Sequence, residues 1–163
     1  MDIKRVDHYS IRTRDLETSR RFYTEVIGLT AGPRPPFDFP GYWLYSGEPP
    51  ADLPKGPANY GLVHLMGWDD KNPGSLDAYV GTRKVSEDGS TGALDHVAFA
   101  ATGHAAMLER CTRLKVKFHE RDVPSLGLRQ VFIQDPDGVT IELNYPASDV
   151  AKPAPAAAAG VSR

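Results

Sequence analysis

Two Asp-His pairs, Asp7-His8 and Asp95-His96, stand 88 positions apart in this chain, and each opens the same succession of patterns. Such an internal repeat constrains the fold before any single motif does, because it fixes which positions are spatially equivalent. In the first copy, residues 6–13 alternate as a strand, with Val6, His8, Ser10 and Arg12 on one face and Asp7, Tyr9 and Ile11 on the other. Asp15 suits the N-cap of a helix over residues 16–27, and Gly28 suits its C-cap. Strands are expected over 29–32, 42–46 and 60–66. The stretch GPRPPFDFPGYW between the first two is too rich in proline for a central strand and reads as a loop.

The second copy follows the same order. Residues 94–100 (LDHVAFA) form an apolar strand, residues 105–114 a short helix, and 116–123, 128–134 and 139–145 three further strands. Asp135-Pro136-Asp137-Gly138 is a tight turn, since Pro fixes φ and Gly permits a positive one. The chain is therefore read as α+β, with a first βαβββ module over 1–66, a Gly/Asp/Ser/Lys-rich linker over 67–91 and a second βαβββ module over 92–146. Residues 147–163, rich in Ala and Pro, read as a flexible tail.

The repeat selects the chemistry. His8 and His96 hold matching places in the opening strands, and His64 and Glu142 hold matching places in the closing ones. Their neighbours Val63, Leu65, Ile141 and Leu143 suit packing against each module's helix, which turns His64 and Glu142 to the opposite, concave face. A buried carboxylate among apolar strands is costly, and a cation offsets that cost. Imidazole and carboxylate without thiolate suit Zn²⁺, Ni²⁺, Co²⁺, Mn²⁺ or Fe²⁺ rather than Ca²⁺. His104 and His119 match nothing in the repeat and are expected at the surface.

Around that constellation, Arg12 shares the face of His8 and is expected to clamp a substrate oxygen. Phe37, Phe39 and Trp43, on and after the proline-rich loop, are expected to favour a flat or apolar substrate, and Phe132 to line the same concavity. Gln130 and Asn144 are weaker candidates for polar contacts, and Cys111 is expected in a helix core.

Composition removes other classes. A net charge of −2 from 19 Lys+Arg and 21 Asp+Glu argues against a nucleic-acid binder. No run approaches the ~18 apolar residues of a membrane span, and the first residues lack the apolar core of a signal peptide. The lone Cys111 forms neither an internal disulfide nor a thiolate cluster. A cytoplasmic protein is the expectation.

The segments DHYSIRTRDLETSRRFYTEVIGL, YGLVHL, LDHVAF and FIQDPDGVTIELNY resemble the vicinal oxygen chelate superfamily: glyoxalase I, methylmalonyl-CoA epimerase, extradiol dioxygenases, and fosfomycin and bleomycin resistance proteins. The resemblance spans nearly all of residues 4–145. It implies paired βαβββ modules with outer helices and a cupped mixed or antiparallel sheet around one divalent metal. The ligand positions carry over to His8, His64, His96 and Glu142. Where glyoxalase I usually has Glu this chain has His64, which brings the set nearer to the epimerase, with an amide there. The implied activity is a lyase or isomerase that stabilises an enediolate or enolate of a small molecule, with Glu142 or His64 as base. A ring-cleaving Fe²⁺ or Mn²⁺ dioxygenase acting on a catechol is the alternative, using His8, His96 and Glu142. A non-catalytic binder of a drug or metabolite is the second. The resemblance further implies a homodimer.

Overall fold

A computed structural model describes residues 6–53, 61–81, 91 and 94–150 of the chain. Eight strands and three α-helices are found among them: β1 (Tyr9–Thr13), α1 (Leu16–Arg21), β2 (Thr30–Gly32), β3 (Gly41–Tyr45), β4 (Val63–Gly67), α2 (Ser75–Val80), β5 (His96–Ala100), α3 (His104–Leu114), β6 (Phe118–Val123), β7 (Leu128–Gln134) and β8 (Thr140–Pro146). The strands form two four-stranded mixed sheets, ordered β1-β4-β3-β2 and β5-β8-β7-β6, so each copy of the repeat has its opening strand beside its closing one. This is the α+β arrangement that the repeat predicts. The described residues divide into two compact units, those up to 97 with 134–140 and those of 98–133 with 141–150.

In the first unit, Asp15 caps α1 as its sequence position requires. One carboxylate oxygen accepts from the Thr18 backbone N–H at 3.0 Å and the other from the Thr18 hydroxyl at 2.7 Å. The expected helix then changes pitch. Phe22–Ile27 is π-helical, and it stops at Gly28, whose φ of 88° favours a residue without Cβ. The helix buries Tyr23 and Val26, while Ile11, Leu44, Tyr45, Val63 and Leu65 supply buried apolar side chains from the sheet.

The turn at residues 134–140 belongs to this unit, a placement the modular reading did not anticipate. Polar contacts account for it. The Tyr23 hydroxyl donates to Asp135 Oδ2 at 2.6 Å, and the Ser19 hydroxyl donates to Asp137. Asp135 Oδ1 in turn accepts the backbone N–H groups of Asp137 (2.9 Å) and Val139 (2.7 Å), closing the turn on itself.

Two further expectations are corrected. Part of the 67–91 stretch, read as linker, is α2, which buries Leu76; residues 82–90 lie outside the described ones. The start of the stretch read as tail is ordered: Ala147–Asp149 forms a 3₁₀ turn, and Asp149 Oδ2 accepts the backbone N–H groups of Gly103 (2.6 Å) and His104 (3.3 Å). Those N–H groups stand at the start of α3, where the helix offers them no carbonyl of its own and no local side chain caps it. Residues 151–163 lie outside the described ones.

In the second unit, α3 buries Met107 and Cys111, as its spacing predicts. His104 is not at the surface. Its ring is buried, hydrogen-bonded through Nε2 to Glu120 at 2.8 Å and edge-on to Tyr145 at 5.2 Å between centroids. Local sequence could not show this, because the partner Glu120 lies on β6.

Candidate functional site

Strand register builds the first cluster. β1 runs parallel to β4 with Ser10 opposite His64, and β3 runs antiparallel to β4 with Trp43 opposite His64. Side chains directly across a sheet share a face, so Trp43 lies flat on His64, with ring centroids 4.2 Å apart and planes 7° from parallel. His8, just before β1, stacks on the other side of His64 at 4.0 Å and 20°. Two of the four predicted ligands thus stand together in one stack.

That stack forms part of a cavity of about 240 Å³ in the first unit. Phe37, Phe39 and Trp43 line it, as their positions on the proline-rich loop predict, together with Tyr79 of α2. Phe37 and Phe39 are parallel at 5.3 Å, and Tyr79 leans against them at 4.7 and 5.4 Å. His8, His64, Ser10 and Arg34 also line it, and among the described residues the lining includes no carboxylate.

Arg34 and Tyr79 are the site residues that sequence reasoning missed. Arg34 sits inside GPRPPF, a stretch notable for its prolines rather than its charge. Its guanidinium lies 5.1 and 5.3 Å from the Phe37 and Phe39 ring centroids, and its Nη2 donates to the Phe39 carbonyl at 2.9 Å. Burial pulls its pKa below the usual arginine value, although a guanidinium stays protonated at neutral pH. Tyr79 belongs to the short helix hidden in the polar 67–91 stretch.

Arg12 has a different task from the one expected. It does not line the cavity. Its Nη1 donates to Asp77 at 3.2 Å and its Nη2 to the Gly81 carbonyl at 2.7 Å, and its side chain is only 10% exposed. A cation at a helix C-terminus meets carbonyls that lack a partner. Arg12 therefore holds α2 and with it Tyr79.

The two Asp-His pairs that define the repeat also share a geometry. His8 Nδ1 lies 3.0 Å from Asp7 Oδ2, and His96 Nδ1 lies 2.7 Å from Asp95 Oδ1. A carboxylate on Nδ1 holds the proton there and puts the lone pair on Nε2, the arrangement of a metal-ligating imidazole.

In the second unit, Glu142 on β8 is buried, and its Oε1 accepts from Gln130 Nε2 at 2.8 Å and Asn144 Nδ2 at 2.7 Å. Gln130 is fixed in turn by Arg121, whose Nε donates to its Oε1 at 2.7 Å. The two amides named as weaker candidates thus orient the carboxylate. Phe132 is buried in this unit, stacked on His119 at 4.6 Å with Arg121 over its ring at 4.9 Å.

Three imidazoles and one carboxylate, with no thiolate, are a donor set that fits a borderline divalent cation. Among the described residues, no three His, Cys, Asp or Glu side chains are grouped to hold one ion; His8 and His64 stack as a pair. No helix among those residues is long and apolar enough to cross a membrane.

Comparison with known proteins places this geometry. The uncharacterized protein YwbC of Bacillus subtilis (strain 168) is 26% identical over 143 residues, covering 85% of this chain and 95% of YwbC. Among solved structures, TnmS3, an antibiotic binding protein from Streptomyces sp. CB03234, has 25% identity and a TM-score of 0.52, over 90% of this chain and 98% of that one. Lactoylglutathione lyase from Agrobacterium tumefaciens has 19% identity and a TM-score of 0.53, over 89% of this chain and 96% of that one. Residues 5–143 match the Glyoxalase/Bleomycin resistance protein/Dioxygenase superfamily, and with two such mixed sheets on a repeated strand–helix–strand plan, the chain belongs to that family.

Proposed function

We propose that this protein is a divalent-metal-dependent lyase or isomerase acting on a small molecule whose flat part sits in the cavity of the first unit. The observation that carries the reading is the doubled Asp-His dyad, Asp7–His8 and Asp95–His96, with Nδ1 held by a carboxylate in both. His8, His64, His96 and Glu142 would hold one ion of Zn, Ni, Co, Fe or Mn. When bound, the ion supplies Lewis-acid stabilisation of an enolate or enediolate oxygen.

The chain's own residues do the rest. The aromatic lining holds the flat part of the substrate and keeps water from it. Glu142, oriented by Gln130 and Asn144, is the proton acceptor at a carboxylate oxygen; His64 is the alternative, at Nε2. Arg12 acts at one remove by holding α2. A homodimer is part of the proposal, following from the family.

The test is metal analysis of protein purified without chelator, alongside His96→Ala and Glu142→Ala. One tightly held ion per chain, lost in both variants, supports the reading. Iron together with oxygen uptake on catechols would replace it by the ring-cleaving reaction. A metal-free wild type that binds planar ligands equally well after Glu142→Ala would replace it by a second reading, a non-catalytic binder. The aromatic cavity favours that second reading, as does the likeness to an antibiotic binding protein.

A further inference from the structure

Arg34 is a half-buried cation on the wall of an aromatic cavity, and among the described residues it has no carboxylate partner. One of its N–H donors is taken by the Phe39 carbonyl. A guanidinium carries five, arranged as a fork that matches a carboxylate. Among the described residues the lining brings no acidic side chain to neutralise it. The other surfaces the cavity offers are ring faces: Phe37 parallel to Phe39, Trp43 parallel to His64, and Tyr79 tilted across the first pair. A space of about 240 Å³ bounded by such faces suits one or two fused rings.

We propose that this cavity takes a planar aromatic acid, its ring against Phe37, Trp43 and Tyr79 and its carboxylate on Arg34. The proposal rests on the cavity being the substrate's seat and names the chemical class that the seat selects. The selection has a physical basis: a half-buried guanidinium gains more from an anion than an exposed one, because water screens the pair less. A neutral ring of the same shape keeps the stacking and loses the ion pair.

Isothermal titration of the full chain with naphthoate and with naphthamide, its uncharged analogue, tests this. The acid is expected to bind at least about ten-fold more tightly, the effect of one charge-assisted hydrogen bond. Arg34→Met should abolish that preference, and Arg34→Lys should restore part of it. Equal affinities in the wild type would overturn the proposal and leave the cavity intact as a seat for neutral rings. Binding of neither compound would overturn both the proposal and the seat itself. The titration is repeated after treatment with EDTA. A preference that survives Arg34→Met but vanishes with EDTA would assign the carboxylate to a bound ion, and the proposal would fall. The wild-type comparison needs no substitution, so a poorly folding variant leaves the test standing.

Discussion

Asp135 shows how one buried side chain sets the response of a fold to pH. Desolvation pushes its pKa from the ordinary 3.8 up to about 6, outweighing the Tyr23 hydroxyl and backbone donors that favour the charged form. The same burial raises the Tyr9 and Tyr23 hydroxyls well above their usual range, so both stay protonated and the chain Tyr9–Tyr23–Asp135 keeps its donors. The sign for Asp135 follows from linkage. Between pH 4 and pH 6 the folded carboxyl holds a proton that the unfolded one has lost, so its contribution to stability falls as pH rises through that window. The difference in unfolding free energy between the wild type and Asp135→Asn should therefore shrink by roughly 2 kcal/mol from pH 4 to pH 7. Urea denaturation across that range measures it; a difference independent of pH would contradict the assignment. His104 teaches a related lesson. It is buried against Glu120, and nothing within its own helix announces that partner. Position in the repeat selected His8, His64, His96 and Glu142 together, of which His8 and His64 stack on one another; it carried no information about residues outside the repeat.

At the scale of elements, periodicity was a good guide where a strand or helix had an apolar face. β7 runs over Leu128–Gln134, the bounds its sequence predicts, and α1 begins after the expected Asp15 cap. It was a poor guide for α2, which is six residues long and contributes one buried side chain, Leu76. So short a helix does not stand by itself; it depends on Arg12, and that is why both the helix and the role of Arg12 were hidden together. Arg12→Ala should speed amide hydrogen exchange in residues 76–81 by about ten-fold or more, the loss of charge-assisted hydrogen bonds, with β1 unaffected. It should also weaken ligand binding through Tyr79, which is 60% exposed and is held at the cavity by α2 and by its contacts with Phe37 and Phe39. β3 makes a second prediction. A Cβ on Gly41 would run into the Leu65 carbonyl of the neighbouring strand and come within 3.6 Å of the Arg34 guanidinium carbon. Backbone cannot yield as a side chain does, so Gly41→Ala should cost about 2–4 kcal/mol by denaturant titration. The π-helical stretch Phe22–Ile27 has no sequence signal that we can name.

For the whole molecule, the repeat carried the fold: two four-stranded sheets, each with its opening strand beside its closing one, follow from two Asp-His openings 88 residues apart. That Phe37, Phe39 and Trp43 line one cavity follows from their closeness in sequence on the proline-rich approach to β3. What alternation could not supply was how side chains pair once strands meet. Gln130 and Asn144 emerged as the donors that hold Glu142 only when β7 and β8 were placed together. The proposed ion would be held by four residues remote in sequence, His8, His64, His96 and Glu142. Its removal should accordingly be felt by the whole chain. Chelation is expected to lower the unfolding temperature by the equivalent of about 3 kcal/mol if the ion was present at a hundred times its dissociation constant. Glu142→Ala should already sit at the lower temperature and respond no further. Scanning calorimetry with and without EDTA gives both numbers.

The stacking of Trp43 on His64 has a practical consequence. The chain has only two tryptophans, and this indole lies face to face with an imidazole while also walling the cavity. Its emission should change whenever a guest or ion engages that imidazole, and a Trp68→Phe substitution would silence the other fluorophore. The protein then carries its own optical sensor, and a fluorimeter reads site occupancy without any label.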